Sequence, residues 1–352
     1  YELLNKYILK KMISNEKKID KLFNLWLLTS LIFIFLIIII GGLTRLTNSG
    51  LSITEWELIK GILPPLSDSA WNYYFDLYKE IPQYKLLNFD MSMNEFKIIF
   101  YWEYIHRILA RFIGLLFLIP LIYFYFTKKI KKDYLNICYL ILFLIIFQGT
   151  LGWYMVKSGL VNDITVSHYR LSLHLITAFL IISVIFWLRK NFVLKKNKNF
   201  FKLKFINFPF QFLILLIFTQ IIFGAFVSGL DAGKIYQTWP LMGDNYFPDD
   251  LNIKKISDAV AFDEHSLVQF YHRNLAYIIT FYSLCLTIFV YKKKLVVLFK
   301  PLKIFLLILF LQASFGIITL VSGLNIYMAS IHQITSVFLV FSALNLYYLR
   351  VK

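Results

Sequence analysis

Eight stretches of this 352-residue chain are each apolar for about twenty residues, at 22–42, 100–126, 134–156, 169–188, 208–230, 267–291, 302–324 and 326–349. A hydrocarbon core roughly 30 Å thick needs about 20 such residues per helix. Inside that core, backbone N–H and C=O groups find partners only within a helix or a closed barrel. Eight runs of this length exceed the helices of a soluble core. The expected fold class is therefore an all-α polytopic membrane protein of eight transmembrane helices. An apolar share of 59% and a mean hydropathy of +0.66 agree.

The formal charge of +17 invites a nucleic-acid reading, but its distribution excludes one. With helix edges counted to the nearest loop, 24 of the 37 Lys and Arg flank one side of the expected membrane and 10 the other, with Arg107, Arg111 and Arg273 inside helices. Of the 20 acidic residues, 15 fall on the Lys-poor side. This is the positive-inside pattern, so both termini are expected in the cytoplasm, or the matrix of an organelle. No cleavable signal pattern stands at the start, and Tyr1 in place of methionine leaves room for a preceding segment. Both cysteines, Cys138 and Cys285, lie in apolar runs, which argues against disulfides in the loops. The two long outer loops, 43–99 and 231–266, mix Trp, Pro and Gly with charge and are expected to be structured caps.

The chain repeats itself. Gly41 and Gly50, followed by Trp56, return as Gly224, Gly233 and Trp239. His106-Arg107-Ile108-Leu109-Ala110 returns as His272-Arg273-Asn274-Leu275-Ala276. Gln148, Gly152 and Ser158-Gly159-Leu160 return as Gln312, Gly316 and Ser322-Gly323-Leu324. The expected organisation is two tandem pseudo-symmetric four-helix bundles. Their bounds are a cytoplasmic segment 1–21, an N-terminal bundle 22–190, a basic cytoplasmic linker 191–207 and a C-terminal bundle 208–352.

Four histidines, His106, His174, His272 and His332, fall on the second, fourth, sixth and eighth helices, each near the outer end. Each bundle thus supplies two imidazoles at similar depth, which is what axial ligation of a heme iron requires. Zinc wants four ligands and suits the pairs less well. His168 and His265 have no repeat partner and are expected at the surface. Arg45, Arg107 and Arg273 are candidates to pair with heme carboxylates, against the alternative of interfacial snorkelling. A charged side chain at the centre of a membrane helix costs about 2.5–3.5 kcal/mol on insertion scales, so Glu103 and Arg107 need partners. Glu103 lies on the face of His106, and the equivalent position before His272 is Gln269. Gln148, Gln312, Gly149 and Gly152 are expected to serve helix packing.

Seven stretches carry a family resemblance. They are GGLTRLTNSGLSITEW at 41–56, YWEYIHRILARFIG at 101–114, QGTLGWYMVKSGL at 148–160, YRLSLHL at 169–175, GLDAGKIYQTWPLM at 229–242, QFYHRNLA at 269–276 and SIHQ at 330–333. In this order they resemble the heme A synthase family over nearly the whole chain. The resemblance implies oxidation of the C8 methyl group of heme O to the formyl group of heme A, for terminal oxidase assembly. It implies that His106 and His174 ligate the substrate heme, that His272 and His332 ligate a heme b cofactor, and that Glu103 is the catalytic carboxylate. It also implies delivery of heme O by a heme O synthase, and residence in a bacterial inner membrane or, in a eukaryote, the mitochondrial inner membrane. The chain lacks the outer-loop cysteine pairs of one branch and so resembles the alphaproteobacterial and mitochondrial branch. The oxygen source, the electron acceptor and homo-oligomerisation stay open. The rival reading is a diheme b-type electron-transfer or quinone-linked cytochrome. A transporter fits less well, because the histidines cluster near one face.

Overall fold

Each apolar run folds as one helix. The computed structural model describes residues 2–57, 60–160, 164–202 and 204–351, with side chains from residue 17 onward and residue 60 excepted. Among these, the helices are α1 (Glu2–Leu46), α2 (Asp68–Lys79), α3 (Pro82–Leu87), α4 (Met93–Thr127), α5 (Lys132–Gly159), α6 (His168–Val193), α7 (Phe208–Gly229), α8 (Ile256–Ala259), α9 (His265–Lys292), α10 (Phe299–Val321) and α11 (Ile326–Arg350). No strand occurs among the described residues. Eight of the helices, all but α2, α3 and α8, are long and apolar enough to cross a membrane.

Two helices start well before their apolar runs. The first membrane helix continues back through the expected 1–21 segment, whose side chains up to residue 16 lie outside the described residues. Ile19, Phe23 and Trp26 prolong its buried stripe at helical spacing. The Phe23 ring packs 4.7 Å from Phe192 and 5.1 Å from Phe124, and such aromatic pairs stabilise by about 0.5–1.5 kcal/mol each. The second membrane helix starts at Met93, not near Phe100, because Ser92 and Glu95 form a capping box. Glu95 Oε2 accepts from the Ser92 N–H at 2.8 Å. The added turns bury Phe96, Ile99 and Phe100 against the outer cap.

Pro120 interrupts α4 and cannot donate to the Leu116 carbonyl one turn back. The Trp26 indole N–H donates to that carbonyl instead, at 3.0 Å. A carbonyl freed inside the membrane is thereby satisfied by a neighbouring helix.

In the first half, α1 packs on α4 and α6, and α5 packs on α4 and α6. In the second, α7 packs on α9 and α11, and α10 packs on α9 and α11. The halves meet where α6 lies along α7 and α11, and where α1 crosses α11. At that crossing Gln333 Nε2 donates to the Ile38 carbonyl at 2.8 Å. Gly42 makes room for it: a Cβ there would stand 1.6 Å from Gln333 Oε1. Where α6 and α11 finish, Lys190 bonds Asn345, and the Tyr348 hydroxyl donates to Asn191 Oδ1 at 3.1 Å. The stretch after α6 folds back on it, with the Trp187 indole and the Asn191 amide donating to the Lys198 carbonyl at 2.8 and 3.0 Å.

The two long loops, 43–99 and 231–266, are structured. The first holds α2 and α3 over a small core of its own, with Trp71, Phe75 and Tyr78 packed on Phe96 and Phe100. The second is mostly irregular, with α8, a short 3-10 turn at Ala232–Lys234 and buried Met242.

Candidate functional site

The histidine positions are set by glycines on the preceding helix. A Cβ on Gly41 of α1 would stand 3.3 Å from His106 Nε2. On Gly152 of α5 it would stand 3.2 Å from His174 Cε1, on Gly224 of α7 3.2 Å from His272 Cε1, and on Gly316 of α10 2.8 Å from His332 Cε1. Each imidazole thus rests edge-on against a bare stretch of backbone. The repeat seen in the sequence is, physically, four copies of this seat. Gly41, Gly224 and Gly316 are seat residues that helix-packing arguments alone do not pick out. The signal was their recurrence one helix before each histidine.

His106 and His174 face one another, with ring centroids 6.5 Å apart and planes at 83°. Two imidazoles sharing a metal at about 2 Å from each nitrogen stand about 6 Å apart between centroids. The first pair therefore has the spacing of an axial pair. His272 and His332 sit on equivalent seats of the second half. Arg273 Nε, next to His272 in sequence, is a buried donor with no partner among the described residues. Matched seats, a ring pair at ligating distance and an orphaned cationic donor together fit heme.

Glu103 is buried, at 2% exposure, and all four acceptor positions of its carboxylate are used. Oε2 accepts from the Ser52 hydroxyl at 2.8 Å and the Ile53 N–H at 2.9 Å. Oε1 accepts from Arg107 Nε at 3.1 Å and from its terminal nitrogen at 2.6 Å. Arg107 also donates to the Ile53 and Glu55 carbonyls, at 2.8 and 3.2 Å, and lies 5.1 Å over the Trp56 ring. Glu103 and Arg107 together pin the first cap onto α4.

The second half repeats this clamp with reversed polarity. Gln269 Nε2 and Arg273 both donate to the Tyr236 carbonyl, at 2.8 and 3.0 Å, and Arg273 donates to Leu241 O at 3.1 Å. The first cap presents donors and meets a carboxylate. The second presents an acceptor and meets an amide.

Arg45 goes elsewhere. It reaches across to the other half, bonding the Ser228 carbonyl and pairing with Asp231 at 3.0 Å. It caps the C-terminal end of α7, where a cation is favoured. Arg111, whose partner the sequence does not show, donates to the Glu57 carbonyl at 2.9 Å. His265 is exposed as expected. His168 is not at the surface: it is 6% exposed, wedged against Gly229 and 5.2 Å from the Phe226 ring, with Nε2 3.5 Å from Asp263. It starts α6, where that helix packs on α7, and so is buried by the contact between halves. Beside the first clamp, Trp56, Arg107, Trp153 and Lys157 line a cavity of about 230 Å³.

Fold and site together define a polytopic membrane protein whose four helix-borne histidines, two in each half, rest on matched glycine seats. The sequence profile of the cytochrome oxidase assembly protein family matches residues 24–344. Heme A synthase of Pelagibacter ubique is 46% identical over 327 residues, 93% of this chain and 96% of that protein. Heme A synthases of Rickettsia bellii and Bartonella quintana are 43% and 40% identical, over 89% and 94% of this chain and 94% and 92% of theirs. The chain belongs to the heme A synthase family.

The tightest seat gives a direct test. A methyl group 2.8 Å from His332 must push the ring aside, and overpacking costs about 1–3 kcal/mol. Gly316→Ala should lower the heme affinity of the purified protein about tenfold, at about 1.4 kcal/mol per decade. Gly114→Ala, whose methyl would meet nothing within 4 Å, should not. Equal heme retention by the two variants would sink the seat.

Proposed function

We propose that this chain oxidises the C8 methyl group of heme O to a formyl group, giving heme A. In this reading the N-terminal bundle, 22–190, receives heme O between His106 and His174. The C-terminal bundle, 208–352, keeps heme b between His272 and His332. The observation that carries it is the His106–His174 ring pair, 6.5 Å apart on matched glycine seats, in a chain of this family. Heme b, when bound, supplies electron transfer to and from the reaction.

The chain's own residues position and exclude. The histidine pair fixes the substrate relative to α4 and α6. The Glu103–Arg107 clamp closes the first cap over that pair and keeps water out. Glu103 acts as a fixed negative charge one helical turn from His106, where positive charge developing on the oxidised carbon is stabilised. Its filled hydrogen-bond shell favours this electrostatic role over proton transfer. Arg107 and Lys157, facing the cavity beside Trp56, are the cations at hand for the substrate's carboxylates. Arg273 serves the heme b carboxylates in the same way. Arg45 serves by holding the halves together. The membrane is the bacterial inner membrane or its mitochondrial counterpart, with both termini inside, and a heme O synthase delivers the substrate.

The test is heme extraction from membranes that make heme O, with and without this chain. Heme A should appear only with it. Two permanently bound hemes and no heme A would instead support the electron-transfer reading.

A further inference from the structure

The first cap carries six residues in a row without a charge or a side-chain hydrogen-bonding group, Gly61-Ile62-Leu63-Pro64-Pro65-Leu66. Leu63 is 68% exposed, and Ile62 and Leu66 are exposed too. The small core of the cap, around Trp71 and Phe96, does not take them in. An exposed apolar patch of this kind marks a contact surface.

Hydrogen bonds fix where the patch lies. The Ile53 N–H donates to Glu103 at 2.9 Å, Arg107 donates to the Glu55 carbonyl at 3.2 Å, and Arg111 donates to the Glu57 carbonyl at 2.9 Å. A Cβ on Gly61 would stand 3.5 Å from Arg111 Nη2, and the Tyr104 hydroxyl donates to the Ile62 carbonyl. The cap segment thus descends along α4 from Glu103 to Arg111 and turns back at Ile62. Glu103 and Arg111 are eight residues apart, about 12 Å along the helix. The second half stops shorter. Among the described residues Asn274, bonded by Tyr246, is the last residue of α9 to bond the second cap, and Tyr277 stands where α4 has Arg111.

The depth of the turn follows from α4 itself. That helix ends at Thr127, before Lys128, Lys129, Lys131 and Lys132. Counting back about 20 residues places the other edge of the hydrocarbon core near Ile108. The first helix gives the same level, since about 20 residues from Leu22 reach Gly41, which lies against His106. Arg111 is therefore inside the core. Helical side chains lean toward the N-terminus, so its guanidinium meets the cap about one turn back, at the edge of the core. A tilted helix spans the core with more residues, which sets the turn deeper. Irregular backbone at this level needs its polar groups satisfied. Arg111 and Tyr104 satisfy two carbonyls, and Pro64 and Pro65 have no N–H to satisfy.

The geometry points to a membrane anchor in the first cap: the turn at Gly61–Leu63 rests on the edge of the hydrocarbon core and sets Ile62 and Leu63 among the acyl chains of the leaflet on that side. The partner is lipid, and the anchor continues the lipid-facing surface of α4 at Ile105 and Phe112, both exposed. Arg111, costly inside a membrane, is the residue that holds it there.

The test uses the full-length protein in vesicles of phosphatidylcholine and phosphatidylglycerol. A nitroxide is placed at Ile62→Cys or Leu63→Cys in a Cys285→Ala background, Cys138 being buried. Asp90→Cys, exposed on the cap, and Ile119→Cys, exposed within the apolar run of α4, calibrate water and lipid. Relaxation by oxygen relative to a water-soluble nickel chelate should be several-fold higher at Ile62 and Leu63 than at Asp90, and close to that at Ile119. A phospholipid with a photoreactive acyl chain should also label residues 61–66 of the unaltered protein, which carries the test alone if a variant does not fold. An oxygen-to-nickel ratio at Leu63 equal to that at Asp90 overturns the proposal. So does a 61–66 segment free of label when the segment around Ile119 is labelled. None of these readings needs heme, so they stand or fall apart from the assignment of the histidine pairs.

Discussion

Glu103→Gln should cut heme A formation by a factor of ten or more while the chain still inserts and keeps its resident heme. The Arg107 guanidinium loses its only charged partner among the described residues, with 10% of its side chain exposed. Removing one member of a buried pair costs about 3–5 kcal/mol, far more than a surface pair is worth. The amide also carries two donors into a site where Ser52, Ile53 and Arg107 all donate, so one of them loses its acceptor. Residues 52–55 should then loosen from α4, which limited proteolysis of the first cap would detect. Heme A and heme O must be extracted from the same membranes and normalised to protein. Heme A near the unaltered level would remove the carboxylate from the mechanism. Loss of heme A with an unchanged cap would separate the fixed-charge role from the clamp.

The resident heme should disappear altogether from His272→Ala and from His332→Ala, while His106→Ala retains it. On the proposed reading, alanine leaves one axial imidazole where two would hold the iron. The purified unaltered protein should show a six-coordinate, low-spin b-type spectrum, and the two variants should show none. Retention of that spectrum by both variants would move the cofactor out of the second half.

Helix count and histidine placement were legible because both follow from periodicity that a chain carries locally. Ranges such as 208–230 and 326–349 lie within a residue or so of α7 and α11. The early starts of α1 and α4 were not legible from hydropathy. Phe23 and Phe96 face partners from other segments, and a capping box is short beside a twenty-residue window. The glycine recurrence was visible, but its meaning needed the neighbouring helix in place. Arg45 shows the same limit: in sequence it suits a heme carboxylate, and only the fold shows Asp231 and the end of α7 beside it. The Glu103 and Gln269 difference was read as chemistry. The structure adds a simpler cause, in that one cap offers donors at Ser52 and Ile53 and the other an acceptor at Tyr236.

Gly41 and Gly42 are adjacent, yet they face different halves. Gly41 seats His106, and Gly42 receives Gln333, the residue after His332. A shift of α11 that accompanies seating at His332 is therefore pressed directly onto α1, one residue from the seat of His106. On the reading proposed above, this crossing is one route by which occupancy of one histidine pair would bear on affinity at the other. Thermodynamic linkage would make such a coupling reciprocal: whatever a heme at one histidine pair did to the hold at the other, the second would do equally to the first.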